Sequence, residues 1–152
     1  MNWINHLYII LYKKNYLYKP NYIILYLVLY LYNLYKYKMT KLGLIGGGYW
    51  GKNLIREFNN MGALHTICDI NEDALKNYNN VYPNIKTTND WNSVLENQEI
   101  DSVCIALPAE MHYSFSKKSL LAGKDVYVEK PITLDIKEAS ELVEIAKKII
   151  KF

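Results

Sequence analysis

The chain has 152 residues, 18 basic and 15 acidic side chains, a net charge of +3 and 51% hydrophobic residues. That length suits about one ordinary domain, and the apolar content excludes a wholly disordered chain. Two cysteines exclude a disulfide-rich scaffold. The net charge hides a split: residues 1–38 carry five lysines and no acid (+5), whereas residues 39–152 carry 13 basic and 15 acidic groups (−2). An acidic main part without a basic stripe gives no support to a nucleic-acid role.

Tyr, Leu, Ile, Lys and Asn fill 33 of the first 38 positions, and codons made of A and T alone can encode all five. The segment reads as a low-complexity leader, translated from AT-rich DNA ahead of a functional start at Met39. The competing reading is a membrane anchor, carried by Asn21 to Tyr35 between Lys19 and Lys36. Its apolar stretch, Tyr22 to Tyr32, is 11 residues long, against about 20 needed to span hydrocarbon. Lysines on both flanks give no orientation. No small-residue cleavage site follows, which argues against a signal peptide.

Beyond Met39, Lys41 to Ile45 is a short apolar run, then comes Gly46-Gly-Gly48-Tyr-Trp-Gly51, then a helical pattern from Asn53 to Met61. A G-x-G-x-x-G sequence between a strand and a helix is the context in which the motif carries dinucleotide chemistry. Gly46 makes the tight turn, Gly48 lets a pyrophosphate approach the backbone, and Gly51 lets helix and strand pack closely. The candidate cofactor-binding residues here are Gly46, Gly48, Tyr49, Trp50 and Gly51. Asp69 ends the next apolar run, Leu64 to Asp69, 18 residues past Gly51. A carboxylate there can accept hydrogen bonds from ribose hydroxyls and repel a 2′-phosphate. With Arg56 the only arginine in the chain, NAD is favoured over NADP. The bland alternative for Asp69 is a helix cap, which Asn71 could provide instead.

Helical patterns follow from about Glu72, from Asp90 to Glu96, from Met111 to Ala122 and from Asp135 to Ile150. Strands are expected near Ile85–Thr87, over Ser102–Leu107 and over Asp125–Glu129. The alternation specifies an α/β, Rossmann-type doubly wound parallel sheet with right-handed crossovers. Cys68 and Cys104 fall within strands and read as buried, reduced thiols. No spacing suggests a metal site, and His65 reads as strand.

Leu107-Pro-Ala-Glu-Met-His112 and Glu129-Lys-Pro131, taken with GGGYWG, resemble the NAD-binding domain of the glucose–fructose oxidoreductase/inositol dehydrogenase/MocA (Gfo/Idh/MocA) family. GYWGKN, the Cys-Asp ending the second strand, PAEMHY and LLAGKDVYVEKP look most like its UDP-N-acetyl-glucosaminuronate 3-dehydrogenase branch. The resemblance covers about residues 40–150. It implies an oxidoreductase acting on a sugar or nucleotide-sugar hydroxyl, with hydride passing to NAD. It also places Pro108, Glu110 and His112 beside the nicotinamide ribose, with Glu129 at the nicotinamide end. Lys130 becomes the catalytic residue, orienting or deprotonating the sugar hydroxyl. A lysine base needs a depressed pKa, obtained by desolvation or neighbouring positive charge. In this family Pro131 commonly follows a cis peptide bond.

The chain departs from the family pattern after the helix that follows Glu129-Lys-Pro131. Family members continue into a sixth strand and a mostly β substrate domain, so residues 39–152 read as a C-terminally incomplete NAD-binding domain. The implied partner is a sugar or UDP-sugar, the implied location cytoplasmic, and an oligomer is compatible. Two other readings stand beside this one: an inactive remnant that at most binds NAD, and an NAD-binding module tethered to a membrane through residues 1–38.

Overall fold

The computed structural model describes Leu27 and residues 40–149. The leader and anchor readings for residues 1–38 therefore lie, Leu27 apart, outside the described residues. Among the described residues no helix is long and apolar enough to cross a membrane.

Strands and helices alternate from first to last: β1 (Leu42–Ile45), α1 (Gly51–Asn60), β2 (Leu64–Cys68), α2 (Glu72–Val81), β3 (Lys86–Thr88), α3 (Trp91–Glu96), β4 (Ser102–Ile105), α4 (Ala109–Leu121), β5 (Asp125–Val128) and α5 (Ile136–Ile149). The five strands form one sheet in the order β3-β2-β1-β4-β5, and every neighbouring pair is parallel. This is the expected doubly wound sheet. Its order reverses between β1 and β4, and there the connections after the two strands leave for opposite faces and open a crevice.

Period-two burial builds a core on each face. Leu42 and Leu44 of β1 point to one side, with Ile67, Cys104, Ile55 of α1 and Leu75 of α2. Ile45 points to the other, with Val103, Ile105, Val94 of α3 and Ile100. The central strands are covered on both faces, which is why β4 reads as an unbroken apolar run. β5, at the sheet's edge, is alternately exposed and half-buried.

Several boundaries shift for local reasons. Asp90 and Asp135 lie outside their helices and accept hydrogen bonds from Asn92 N and Lys137 N, at 2.9 and 2.6 Å. An aspartate in this position satisfies an otherwise unpaired helix N–H. α4 begins two residues before Met111 because Pro108, with φ −57° and ψ 145°, takes the N-cap position. β4 ends at Ile105, so Ala106 and Leu107 form the loop that borders the crevice.

Lys124 is buried at the opposite end of the sheet, where its Nζ donates to the carbonyls of Asn97 and Ile100, both at 2.8 Å. Both cysteines are free and buried. Burial pushes the Cys68 thiol up to about 11 and the Cys104 thiol up to about 12, with nearby carboxylates adding to each shift. Neither thiol should therefore react with iodoacetamide in the native protein at pH 8, whereas both should react in denaturant, as mass spectrometry would show. Ile55 is fully buried beneath α1, so Ile55→Ala should lower the unfolding free energy in urea by about 2–5 kcal/mol.

Candidate functional site

The glycine loop fills the mouth of the crevice. Gly46 has φ +96°, and a β-carbon on it would lie 2.5 Å from the Ala106 carbonyl oxygen. A β-carbon on Gly51 would lie 1.8 Å from the Gly46 carbonyl oxygen, so α1 can start this close to the loop only with glycine there. Gly48 is the opposite case: its β-carbon would meet nothing within 4 Å, leaving backbone open to an approaching group. No side chain caps α1 and no acid lies in its first turn, so the positive end of the helix dipole is uncompensated.

Asp69 emerges from the end of β2 and holds this loop. Its Oδ2 accepts from Gly47 N at 2.6 Å and its Oδ1 accepts from Asn71 N at 2.8 Å. The helix-capping role falls to Asn71, whose side chain accepts from Asp73 N and Ala74 N at 3.0 and 3.1 Å. Tyr78 of α2 completes the grip by donating its hydroxyl to the Gly47 carbonyl. Its ring lies so close that a β-carbon on Gly47 would be 2.6 Å from it. Burial first, then the Asp69 carboxylate, raises the Tyr78 pKa above the ordinary phenol value. Sequence reasoning missed Tyr78. Helical spacing places it one turn after Leu75 on the buried stripe, but periodicity does not say where a hydroxyl goes.

Two cavities flank the loop. The smaller, of about 210 Å³, contains Asp69, Ile70, Asn89 and Met111. The larger, of about 640 Å³, contains Gly48, Tyr49, Trp50, Asn53, Glu129 and Lys130. Leu107 and Pro108 border both. Glu129 is half-buried and continues the β5 ladder through its N–H to the Ile105 carbonyl, at 3.1 Å. Lys130 is exposed and the Lys130–Pro131 peptide bond is cis. The fold thus brings glycine loop, Asp69, Pro108 and Glu129–Lys130 to one edge of the sheet.

The profile of an oxidoreductase family with an NAD-binding Rossmann fold, Gfo/Idh/MocA, matches residues 40–151. The chain belongs to this family. A glycosyl hydrolase family 109 protein of Shewanella amazonensis is 32% identical over 119 residues, which cover 71% of this chain and 26% of the relative. An NAD-binding protein of Listeria innocua superposes with a TM-score of 0.68 at 26% identity, over 75% of this chain and 34% of that one. The WlbA dehydrogenase of Bordetella pertussis, solved with NADH and UDP-GlcNAcA, superposes with a TM-score of 0.66 at 24% identity, over 72% of this chain and 34% of its own. That last likeness speaks to the fold alone. The chain spans about a third or less of the length of each of these relatives.

Within this Gfo/Idh/MocA domain, Glu110 and His112 sit in different surroundings. Glu110 stays exposed in the first turn of α4 and lines neither cavity; a carboxylate there favours the helix N-terminus. His112 borders the larger cavity but is 1% exposed. Its Nδ1 lies 2.6 Å from the Pro131 carbonyl oxygen and its Nε2 lies 2.8 Å from that of Leu107. Both ring nitrogens face backbone carbonyls, and a ring nitrogen donates to its carbonyl only where it carries the proton. The imidazole ties the loop after β4 to the segment carrying Lys130. Among the described residues no group of His, Cys, Asp or Glu could hold a metal ion. Replacing His112 by alanine leaves both carbonyls without their partner and should cost about 1–3 kcal/mol of unfolding free energy in urea.

Proposed function

We propose that residues 39–152 bind NAD along the crevice as the cofactor-holding part of an oxidoreductase acting on a sugar or nucleotide-sugar hydroxyl. The observation that carries this reading is that Gly48, open to solvent, shares a cavity with Glu129 and Lys130, while Asp69 stands in the adjoining one. The chain's residues fit such a cofactor: an open backbone for the pyrophosphate, an uncapped helix N-terminus and a carboxylate for the ribose. When bound, NAD supplies the hydride acceptor.

The chain's own groups do the rest. Asp69 accepts from the ribose hydroxyls with the lone pairs its two backbone contacts leave free, and its charge disfavours a 2′-phosphate. Pro108 stiffens the wall between the cavities and Glu129 flanks the nicotinamide end. Lys130 orients the substrate hydroxyl and takes its proton. The finer reading, a UDP-sugar-acid 3-dehydrogenase, rests on the resemblance of GYWGKN, PAEMHY and LLAGKDVYVEKP to that branch. A cytoplasmic setting, with residues 1–38 a dispensable leader, completes the proposal.

Calorimetric titration of the full chain tests it. NAD should bind saturably and more tightly than NADP, and Asp69→Ala should weaken NAD binding by about 1–3 kcal/mol. The same substitution should narrow the preference over NADP, an effect that loosening of the glycine loop would not produce. A folded chain that binds neither dinucleotide sinks the reading.

A further inference from the structure

Tyr49 and Trp50 are large aromatic side chains left 75% and 64% exposed. Burial of either would contribute more than almost any other side chain, so leaving both in solvent forgoes stability. They also hold a defined arrangement. Their rings meet edge to face with centroids 5.6 Å apart, and Lys52 Nζ lies 5.0 Å from the centre of the Tyr49 ring.

Their position separates them from the adenosine end of the crevice. Both line the cavity of Glu129 and Lys130, and neither lines the one containing Asp69. The pyrophosphate needs only the Gly48 backbone and the start of α1, and the nicotinamide end lies toward Pro108 and Glu129. That leaves one wall of the larger cavity without a cofactor part to touch: Tyr49, Trp50, Asn53 and Glu57. Two aromatic faces beside an amide and a carboxylate form a surface suited to a sugar ring. With the ring planes 85° apart, the C–H face of a pyranose packs on Trp50 and its edge meets Tyr49, while its hydroxyls meet Asn53 and Glu57. An aromatic body with a polar tip serves both needs at one place.

We propose that Tyr49 and Trp50 form a stacking wall for the pyranose ring of the substrate, presenting it to Lys130. This rests on the oxidoreductase reading above and assigns the two aromatics to substrate rather than to cofactor.

The test uses the full chain labelled with 5-fluorotryptophan, whose Trp50 resonance is assigned by comparison with Trp50→Leu. NADH binding is measured first, by calorimetry; its absence overturns the cofactor reading and this proposal with it. With NADH saturating, UDP-GlcNAcA should shift the Trp50 fluorine signal and UDP alone should not. Trp50→Leu should raise the Kd for UDP-GlcNAcA about tenfold while changing that for NADH by less than about twofold. The proposal fails if NADH alone saturates the Trp50 shift and Trp50→Leu weakens NADH, which would return the wall to the cofactor. It fails equally if UDP alone gives the full shift, or if NADH binds and the sugar nucleotide leaves Trp50 unmoved.

Discussion

The carbonyl oxygen of Gly46 occupies the space that a β-carbon at position 51 would need, with only 1.8 Å between them. This contact sets how closely α1 can begin behind β1. Its proximity lets the loop turn tightly at Gly46, where φ is +96°, and leaves Gly48 projecting clear of neighbouring atoms. The open backbone of Gly48 and the crowded one of Gly51 are therefore two results of one constraint. Everything at the crevice is placed relative to this turn: Asp69 and Tyr78 grip its Gly47 peptide, and Leu107 and Pro108 face it from the end of β4. Side chains could not build the same mouth: at Gly46 and Gly51 they would strike backbone carbonyls, and at Gly48 they would fill the open space.

Three buried or half-buried donors recur as fasteners of loops. Tyr78 donates to Gly47, Lys124 to Asn97 and Ile100, and His112 faces the carbonyls of Leu107 and Pro131. Each joins segments distant in sequence through backbone carbonyls rather than side chains. A carbonyl leaving a strand end would otherwise be desolvated without a partner, and its loop would be free to drift. His112 matters most for the site, because the segments it joins are those bearing Pro108 and Lys130. The position of Lys130 thus depends on a helix residue 18 positions earlier, through a side chain whose ring nitrogens both face backbone carbonyls.

The sheet was legible in the sequence because its signals are backbone signals. The short apolar run from Lys41 to Ile45, glycines at fixed offsets and an aspartate at a strand's end all follow from local geometry. α4 shows the limit. Its buried stripe is His112, Ser116 and Ser119, at i, i+4 and i+7, and a search for apolar periodicity passes over it. Small hydroxyls let a helix pack closely, and the buried imidazole faces carbonyls of loops that only the tertiary fold brings near. The same limit hid Tyr78. Glu110 shows the converse: it lies within a motif, and the first turn of α4 leaves it exposed.

Exposed apolar side chains share the cavity of Lys130 and also follow it along the chain. Tyr49 and Trp50 stand on one side of the cavity, and Ile132, Leu134 and Ile136 follow Pro131. Lys130 is itself exposed, and a charged group in water exerts only weak and screened influence on a reacting atom. Proton transfer at a sugar hydroxyl gains its electrostatic advantage where water is excluded. The apolar side chains around Lys130 are of the kind that exclude it, provided something lies against them. In this site cofactor recognition draws on contacts complete within the described fold, such as Gly48 and Asp69. The chemistry proposed for Lys130 would depend on what the substrate and its surroundings cover. On the function proposed above, affinity for the dinucleotide and competence for the reaction would be separable, since Asp69 stands in one cavity and Lys130 in the other.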